Sequence, residues 1–192
     1  MNTIWPIMIH ADKSRVGKDY CAQKIVQVLA QKGIKARQYS IARVLKALCK
    51  EWFKTHPMDD YEDSPDLRTD PIEGLGISAV TLWIKVGECF RNIDKNVWIT
   101  RTVENIRNDI DIQIPVISDH RFDCEYDYLH SVFERHVSTL KINSEQGVMN
   151  ASDGKVTRLP DYEITNHFDE SFDRTIEVFC DEFLKNIGSN NA

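Results

Sequence analysis

A short stretch near the start of the chain combines the residue types that bind phosphate. Residues 7–26 are IMIHADKSRVGKDYCAQKIV, an apolar run followed by a polar turn, Gly17 and Lys18, and then a helical pattern. In a strand–turn–helix unit, backbone N–H groups and the helix N-terminus surround a phosphate, and the lysine adds a positive charge. The residues of this candidate phosphate loop are Ser14, Arg15, Val16, Gly17, Lys18 and Asp19.

The match to the usual phosphate-loop pattern is incomplete. That pattern has a glycine five positions before Gly17 and a serine or threonine after the lysine, where this chain has Asp12 and Asp19. If the Asp12 carboxylate pointed inward it would repel a phosphate, since two like charges 4 Å apart cost about 4 kcal/mol at an effective dielectric constant near 20. If it pointed outward, the cost would be small. On these residues alone, a polar turn capped by Gly17 remains the alternative.

Two further charged positions could complete such a site. The segment IPVISDHR places Asp119 at the end of a strand, where α/β proteins bind their ligands and where an acid can hold Mg²⁺. Arg91 lies four residues beyond Gly87 on a helical track, so its guanidinium would face inward and need an anionic partner. The alternatives are an aspartate in a turn and a solvated arginine near a helix end.

The elements that must position these residues alternate along the chain. We predict strands over residues 4–9, 34–40, 114–119, 137–142 and 162–165. We predict helices over residues 18–32, 41–52, 77–92, 95–109, 125–135 and 169–187. Such alternation is typical of the α/β class, and we expect a three-layer α/β/α core with a central parallel sheet of about five strands and helices on both faces.

Composition narrows the class of function. The 192 residues carry a net charge of −6, which predicts a single domain without general attraction for nucleic acid or anionic membranes. The five cysteines are scattered without a C-x-x-C pair, as in proteins that keep reduced intracellular thiols. No signal peptide or long apolar run is evident, so we expect a cytoplasmic protein with small-molecule partners.

Four motifs resemble, in order and spacing, those of phage-type deoxynucleoside monophosphate kinases, a P-loop kinase family. They are SRVGKD, VGECFRNIDKNVWI, VISDHRFDCE and YEITNHFDESFDRTIEVF, and the resemblance spans residues 4–188. The family has R-S-G-K-D in the first loop, G-x-x-x-R before an aspartate and W-[IV], a strand ending in D-x-R-F-x-x-E, and I-x-N before the last helix. The matching positions are Arg15, Gly17, Lys18, Asp19, Gly87, Arg91, Asp94, Trp98, Asp119, Arg121, Phe122, Glu125, Ile164 and Asn166.

The resemblance implies a single P-loop NTPase-type domain, residues 1–192, that transfers a phosphoryl group from ATP to a deoxynucleoside monophosphate. Lys18 and the amides of residues 14–19 would hold the donor phosphates, and Asp19 and Asp119 would hold Mg²⁺. Arg91 and Arg121 would bind the acceptor phosphate and the transferring group.

More peripheral roles follow from the same resemblance. Lys46 and, more weakly, Arg43 would contact the acceptor, and Asn166 would approach the adenine of ATP. An acceptor-binding flap would lie near residues 41–92 and a lid near residues 143–160. For Glu125 we prefer a structural role in the first turn of a helix, where an acid favours the helix dipole. Solvated side chains, a turn or helix cap at Asn166, and plain loops are the alternatives.

Two rival functions stay open at this point. KSRVGKD and VISDHR also resemble animal-type phosphomevalonate kinases, which share the fold. A damaged phosphate loop, with Asp12 in place of glycine, could instead belong to a nucleotide-binding or interaction module without turnover. The basic residue expected after VSTLKI is missing, with Lys141 the nearest substitute, and the lid offers only Lys155 and Arg158.

Overall fold

The computed structural model describes residues 4–54, 56, 58, 61, 64, 67–134, 136–149 and 155–189. Most of residues 55–66, within the predicted flap, and residues 150–154, within the predicted lid, lie outside the described residues. Among the described helices, none is long and apolar enough to cross a membrane.

A five-stranded parallel sheet forms the centre of the fold, as predicted. The strands are β1 (Ile7–His10), β2 (Ala36–Tyr39), β3 (Ile114–Ile117), β4 (Ser138–Asn143) and β5 (Tyr162–Thr165), and their order is β2-β3-β1-β4-β5. Every residue of β1 and β3 is buried, which suits apolar strands covered on both faces. Pro6 precedes β1 and therefore removes no donor from the sheet, while its carbonyl accepts from Ser138 N at 2.9 Å.

Six helices among the described residues cover the sheet. They are α1 (Lys18–Gln31), α2 (Ile41–Trp52), α3 (Ala79–Ile93), α4 (Val97–Asn108), α5 (Asp123–Val132) and α6 (Ser171–Ser189), with a 3₁₀ turn at Leu67–Thr69. Residues of α1 and α6 share one hydrophobic core with the sheet, and residues of α2, α4 and α5 share another. The predicted three-layer α/β/α fold is confirmed.

Local sequence signals fix most of the helix ends. Ser40 Oγ accepts from Arg43 N at 3.2 Å at the start of α2, and Gly33 takes a left-handed φ of 75° just after α1. Trp52 is the last residue of α2 and is 58% exposed, and its ring meets that of Phe90.

The sheet order brings the predicted site residues to one edge. All strands are parallel, so the loops that follow β1 and β3 leave the sheet side by side. The first of these is the candidate phosphate loop, and the second begins with Ser118 and Asp119. Lys141 of β4 is in register with His10 of β1, which places it beside the start of the phosphate loop.

Candidate active site

A cavity of about 730 Å³ lies at this edge of the sheet and has the size of a small-molecule site. Its basic lining residues are Arg15, Lys18, Lys46, Arg68, Arg91, Arg121 and Lys155. Its acidic lining residues are Asp19, Glu88, Asp119 and Glu125. The protein as a whole carries a net charge of −6, so the basic excess here is local and suits an anionic ligand.

Nine of the twelve predicted site residues line this cavity. They are Ser14, Arg15, Gly17, Lys18, Asp19, Lys46, Arg91, Asp119 and Arg121. The other three do not: Val16 is buried in the core, Arg43 is exposed on α2, and Asn166 is buried beneath the phosphate loop. The placement of these side chains is a structural result, whereas their roles remain predictions.

Gly17 and Asn166 together give the phosphate loop its shape. Gly17 has a left-handed φ of 89°, and the Asn166 side chain donates from Nδ2 to the carbonyl of Val16 at 3.0 Å. A Cβ on Gly17 would lie 2.7 Å from that Nδ2 atom, so both the conformation and the contact require glycine. Asn166 thus supports the loop from below, rather than lining the cavity. Lys18 Nζ donates to the carbonyl of Lys13 at 3.0 Å across the loop.

Asp12 points away from the phosphate loop. Its side chain is 60% exposed, and its Oδ2 atom lies 2.8 Å from Lys141 Nζ. The repulsive, inward orientation considered for Asp12 is therefore not adopted. Lys141 instead neutralises the Asp12 carboxylate, which stands where the usual pattern has a glycine.

The connection between β4 and β5 is paired with the phosphate loop. Ser14 N donates to the carbonyl of Val148 at 2.9 Å, and Val148 N donates back to the carbonyl of Ser14 at 3.0 Å. A Cβ on Gly147 would lie 2.8 Å from both Ser14 O and Val16 Cγ1. Residues 144–149 thus form a short strap held closely against the loop.

The carboxylates of Asp19 and Asp119 occupy neighbouring places at the sheet edge. Asp19 Oδ1 accepts from Ser118 Oγ at 2.7 Å and from Gln38 Nε2 at 3.2 Å. Asp119 accepts from the backbone N–H groups of Ile41 and Ala42 and from Ser40 Oγ, each at 2.8 Å. Asp119 therefore also caps the N-terminus of α2, where its charge favours the helix dipole.

These oxygen donors fit a magnesium ion. The described residues hold no cluster of three acidic, histidine or cysteine side chains that would bind a metal by themselves. Mg²⁺ is commonly held by one or two carboxylates together with substrate phosphates and water, so a ready-made cage is not needed. Asp19, in the candidate phosphate loop, and Asp119, just after β3, are carboxylates of that kind.

Arg91 lies between a buried carboxylate and an aromatic ring. Its Nη2 atom is 3.5 Å from Glu125 Oε1, and its guanidinium carbon is 4.0 Å from the centre of the Phe122 ring. Glu125 Oε2 accepts from the backbone N–H groups of Arg121 at 2.9 Å and Phe122 at 3.1 Å, which confirms its place in the first turn of α5. Burial raises the pKa of Glu125 to about 7, and the charge of Asp119 adds to the rise.

The far end of the cavity is apolar and aromatic, which the sequence reasoning did not predict. Trp83 lines it together with Val80 and Ile84, and Lys46 Nζ lies 4.8 Å above the Trp83 ring. Gly87 allows α2 and α3 to approach here, because a Cβ on it would lie 3.1 Å from Leu45 Cδ2. The spacing of Trp83 between Val80 and Gly87 places it on the same side of the helix, and this spacing could have predicted its position in the cavity.

Two partly exposed aromatic side chains line the other end, beside the phosphate loop. Tyr20 is 52% exposed and Phe168 is 47% exposed. Phe168 has a left-handed φ of 61°, and its backbone N–H donates to Asn166 Oδ1 at 2.8 Å. Asn166 thus links the phosphate loop to the residue that presents this ring. The motif resemblance pointed to this loop through Asn166, and the side chain that lines the cavity belongs to Phe168, two positions later.

Two buried histidines lie at the base of the site. His10 ends β1 and His120 follows Asp119, and their ring centres are 5.6 Å apart. Neither nitrogen of His10 has a hydrogen-bond partner among the described residues. Burial lowers the pKa of each histidine to about 4; the charge of Lys141 adds to the effect at His10, and that of His10 adds to it at His120.

The two histidines predict a loss of stability in mild acid. The unfolded chain binds protons at its histidines below about pH 6.5, whereas the folded protein binds them only near pH 4. The free energy of unfolding should therefore fall as the pH is lowered from 6.5 to 4, by up to about 3 kcal/mol for each histidine. Urea unfolding across this range measures the slope.

Matched variants isolate the contribution of these two groups. The double variant His10→Asn/His120→Asn should flatten the slope between pH 6.5 and 4.5. A change of the exposed His167 to Asn should leave it as in the parent protein. An equally steep slope in the double variant would assign the effect to other groups.

The Asp12–Lys141 pair predicts a conditional effect on anion binding. Lys141→Met should release Asp12 toward the loop and weaken binding of inorganic tripolyphosphate by about fivefold, equivalent to about 1 kcal/mol. In an Asp12→Asn background the same change should have little effect. Isothermal titration calorimetry on the four proteins gives the coupling. If Lys141→Met weakens binding equally in both backgrounds, Lys141 acts on the anion directly and the interpretation is wrong.

Comparisons with known proteins identify the fold. APS kinase from Mycobacterium tuberculosis, in complex with AMPPNP and APS, is similar with a TM-score of 0.54 and 13% identity over 96% of this chain and 99% of the other. Dephospho-CoA kinase from Campylobacter jejuni gives a TM-score of 0.47 and 11% identity over the full length of both chains. A scan against protein-family models finds no match, and neither does a search of curated proteins. The likeness to APS kinase shows a shared fold.

Proposed function

We propose that the protein is a deoxynucleoside monophosphate kinase that transfers a phosphoryl group from Mg-ATP to a dNMP, giving a dNDP. The observation that carries the proposal is the shared cavity. It joins a lysine-bearing phosphate loop, a group of basic side chains and an apolar, aromatic end within about 730 Å³. Such a cavity suits two nucleotides that meet through their phosphates.

The donor would lie over the phosphate loop. Lys18 would leave the Lys13 carbonyl and bind the terminal phosphates of ATP, with the loop amides around Gly17. Mg²⁺, held by Asp19 and supported by Asp119, would neutralise charge on those phosphates. Phe168 and Tyr20 would offer aromatic surface to the adenine.

The acceptor would lie across the cavity from the loop. Arg91 and Arg121 would hold its phosphate in line with the donor, and Lys46 would add a positive charge. Trp83 and the apolar residues beside it would contact the base. Phosphoryl transfer demands mainly positioning and charge neutralisation, and this lining offers both.

Residues 155–158 supply a cation from the side of the predicted lid. Lys155 lines the cavity, with Nζ 5.3 Å from the Phe122 ring, whereas Arg158 stacks on the Tyr126 ring outside it. Asp123 binds the Thr157 backbone N–H at 3.0 Å, which ties this segment to α5. A segment placed here would help exclude water from the transferring group.

The rival functions have less support from the site. The binding-module hypothesis rested on Asp12, whose carboxylate faces Lys141 rather than the loop. The phosphomevalonate kinase hypothesis gives no role to an aromatic acceptor end formed around Trp83. The similar APS kinase binds AMPPNP together with APS, and by analogy of fold we assign two small-molecule substrates to this cavity.

The proposal predicts base-dependent formation of diphosphate. The protein should convert at least one deoxynucleoside monophosphate in the presence of Mg-ATP, and Lys18→Ala should lower kcat by about 10²- to 10³-fold because it removes charge stabilisation. Coupled ADP release and chromatography of the products, against a panel of dNMPs, NMPs and phosphomevalonate, make the measurement. Turnover of phosphomevalonate alone would favour that rival, and no turnover by folded protein would favour a binding module.

Replacement of Phe168 should weaken the binding of ATP and leave the binding of the acceptor unchanged. Phe168→Ala should raise the KM for ATP about tenfold, since loss of base stacking costs about 1–3 kcal/mol, and should leave the KM for the acceptor within twofold. Phe168→Tyr keeps the aromatic face and is the matched control. A rise in the acceptor KM instead would place this ring in the other half of the cavity.

A further inference from the structure

Glu125 connects the two arginines that face the proposed acceptor phosphate. Its side chain is 3% exposed, and its two oxygens have different partners. Oε2 accepts from the backbone N–H groups of Arg121 and Phe122, so it fixes the loop that carries Arg121. Oε1 lies 3.5 Å from Arg91 Nη2 on a different helix.

The first of these roles is ordinary for a glutamate at this position. A carboxylate at the third residue of a helix that accepts from the preceding backbone N–H groups stabilises the helix start. An uncharged glutamine could serve this role as well, since its amide oxygen accepts the same hydrogen bonds. Helix capping alone therefore gives no reason for a charge at residue 125.

The second role does require the charge, which Glu125 carries in full only above its raised pKa of about 7. Arg91 has its guanidinium against the face of Phe122, and its Nε atom is buried without a hydrogen-bond partner among the described residues. A buried guanidinium needs an anion, and Glu125 is the carboxylate paired with it in the described part of the chain. Without that charge, the Phe122 ring would be the contact left to the Arg91 guanidinium among the described residues.

We infer that Glu125 is a positioning residue, which orients Arg91 through one oxygen and the Arg121 loop through the other before the acceptor binds. This inference rests on the proposed function for the identity of the acceptor. It assigns to Glu125 a role beyond the helix start: the carboxylate holds the Arg91 guanidinium and the backbone at Arg121 in place, so less freedom is lost when an acceptor phosphate arrives.

Glu125→Gln separates the two roles. The variant keeps an oxygen for the N–H groups of Arg121 and Phe122 but loses the charge that faces Arg91. We expect a thermal midpoint close to that of the parent protein and an acceptor KM raised about tenfold. The KM for ATP should change by less than twofold. Asp127→Asn, an exposed change of the same kind on the same helix, should alter none of these values.

A double-mutant cycle tests whether Glu125 acts through Arg91. If it does, Glu125→Gln should have little further effect on the acceptor KM in an Arg91→Met background. Equal effects in both backgrounds would overturn the inference. So would an acceptor KM in Glu125→Gln that matches the parent protein, since Glu125 would then be only a helix cap.

A second measurement tests whether Glu125 holds Arg91 in place, even if the protein turns over no acceptor. The Arg91 Nε–H signal in a ¹⁵N NMR spectrum, assigned by its loss in Arg91→Lys, should be resolved and slow to exchange in the parent protein. In Glu125→Gln it should broaden or exchange about tenfold faster, while in Asp127→Asn it should not change. An unchanged signal in Glu125→Gln would contradict the inference, whereas failure of the kinase assay alone would contradict only the proposed function.

Discussion

The hydrogen bond from the Asn166 side chain to the Val16 carbonyl is the contact on which the site depends. It joins the end of β5 to the phosphate loop and sits against Gly17, whose left-handed backbone turns the chain into α1. Because α1 starts there, Lys18 reaches across the loop and Asp19 meets Ser118. The same asparagine holds the backbone of Phe168, so loop and aromatic ring share one support.

Electrostatic balance is the second constraint. A group of basic side chains faces one cavity in a protein with a net negative charge. These side chains repel one another, so each needs a contact that fixes its position. Buried carboxylates and ring faces meet this need: Glu125 and Phe122 hold Arg91, and the Trp83 ring lies under Lys46. Asp119 is bound to the start of α2 and so keeps its charge in place near the loop.

Features set by local sequence could be predicted, and features set by distant contacts could not. Strand–turn–helix spacing located the turn between β1 and α1 that forms the candidate phosphate loop, and the apolar track ending in Arg91 located the inner face of α3, because each signal lies within one stretch of the chain. The direction of Asp12 depends on Lys141, which is 129 positions away in the chain but adjacent in the sheet. The support given by Asn166 and the double contact of Glu125 likewise arise only when separate elements meet, so residue types alone could not reveal them.

Gly147 packs closely against the phosphate loop, and this contact limits which substitutions the protein can accept during evolution. Any side chain at residue 147 would collide with Ser14 and Val16 and separate the strap from the loop. Insertions and substitutions should therefore be rare at residues 144–148, which are held against the phosphate loop. This part of the connection can therefore change only together with Ser14 and Val16, which it touches.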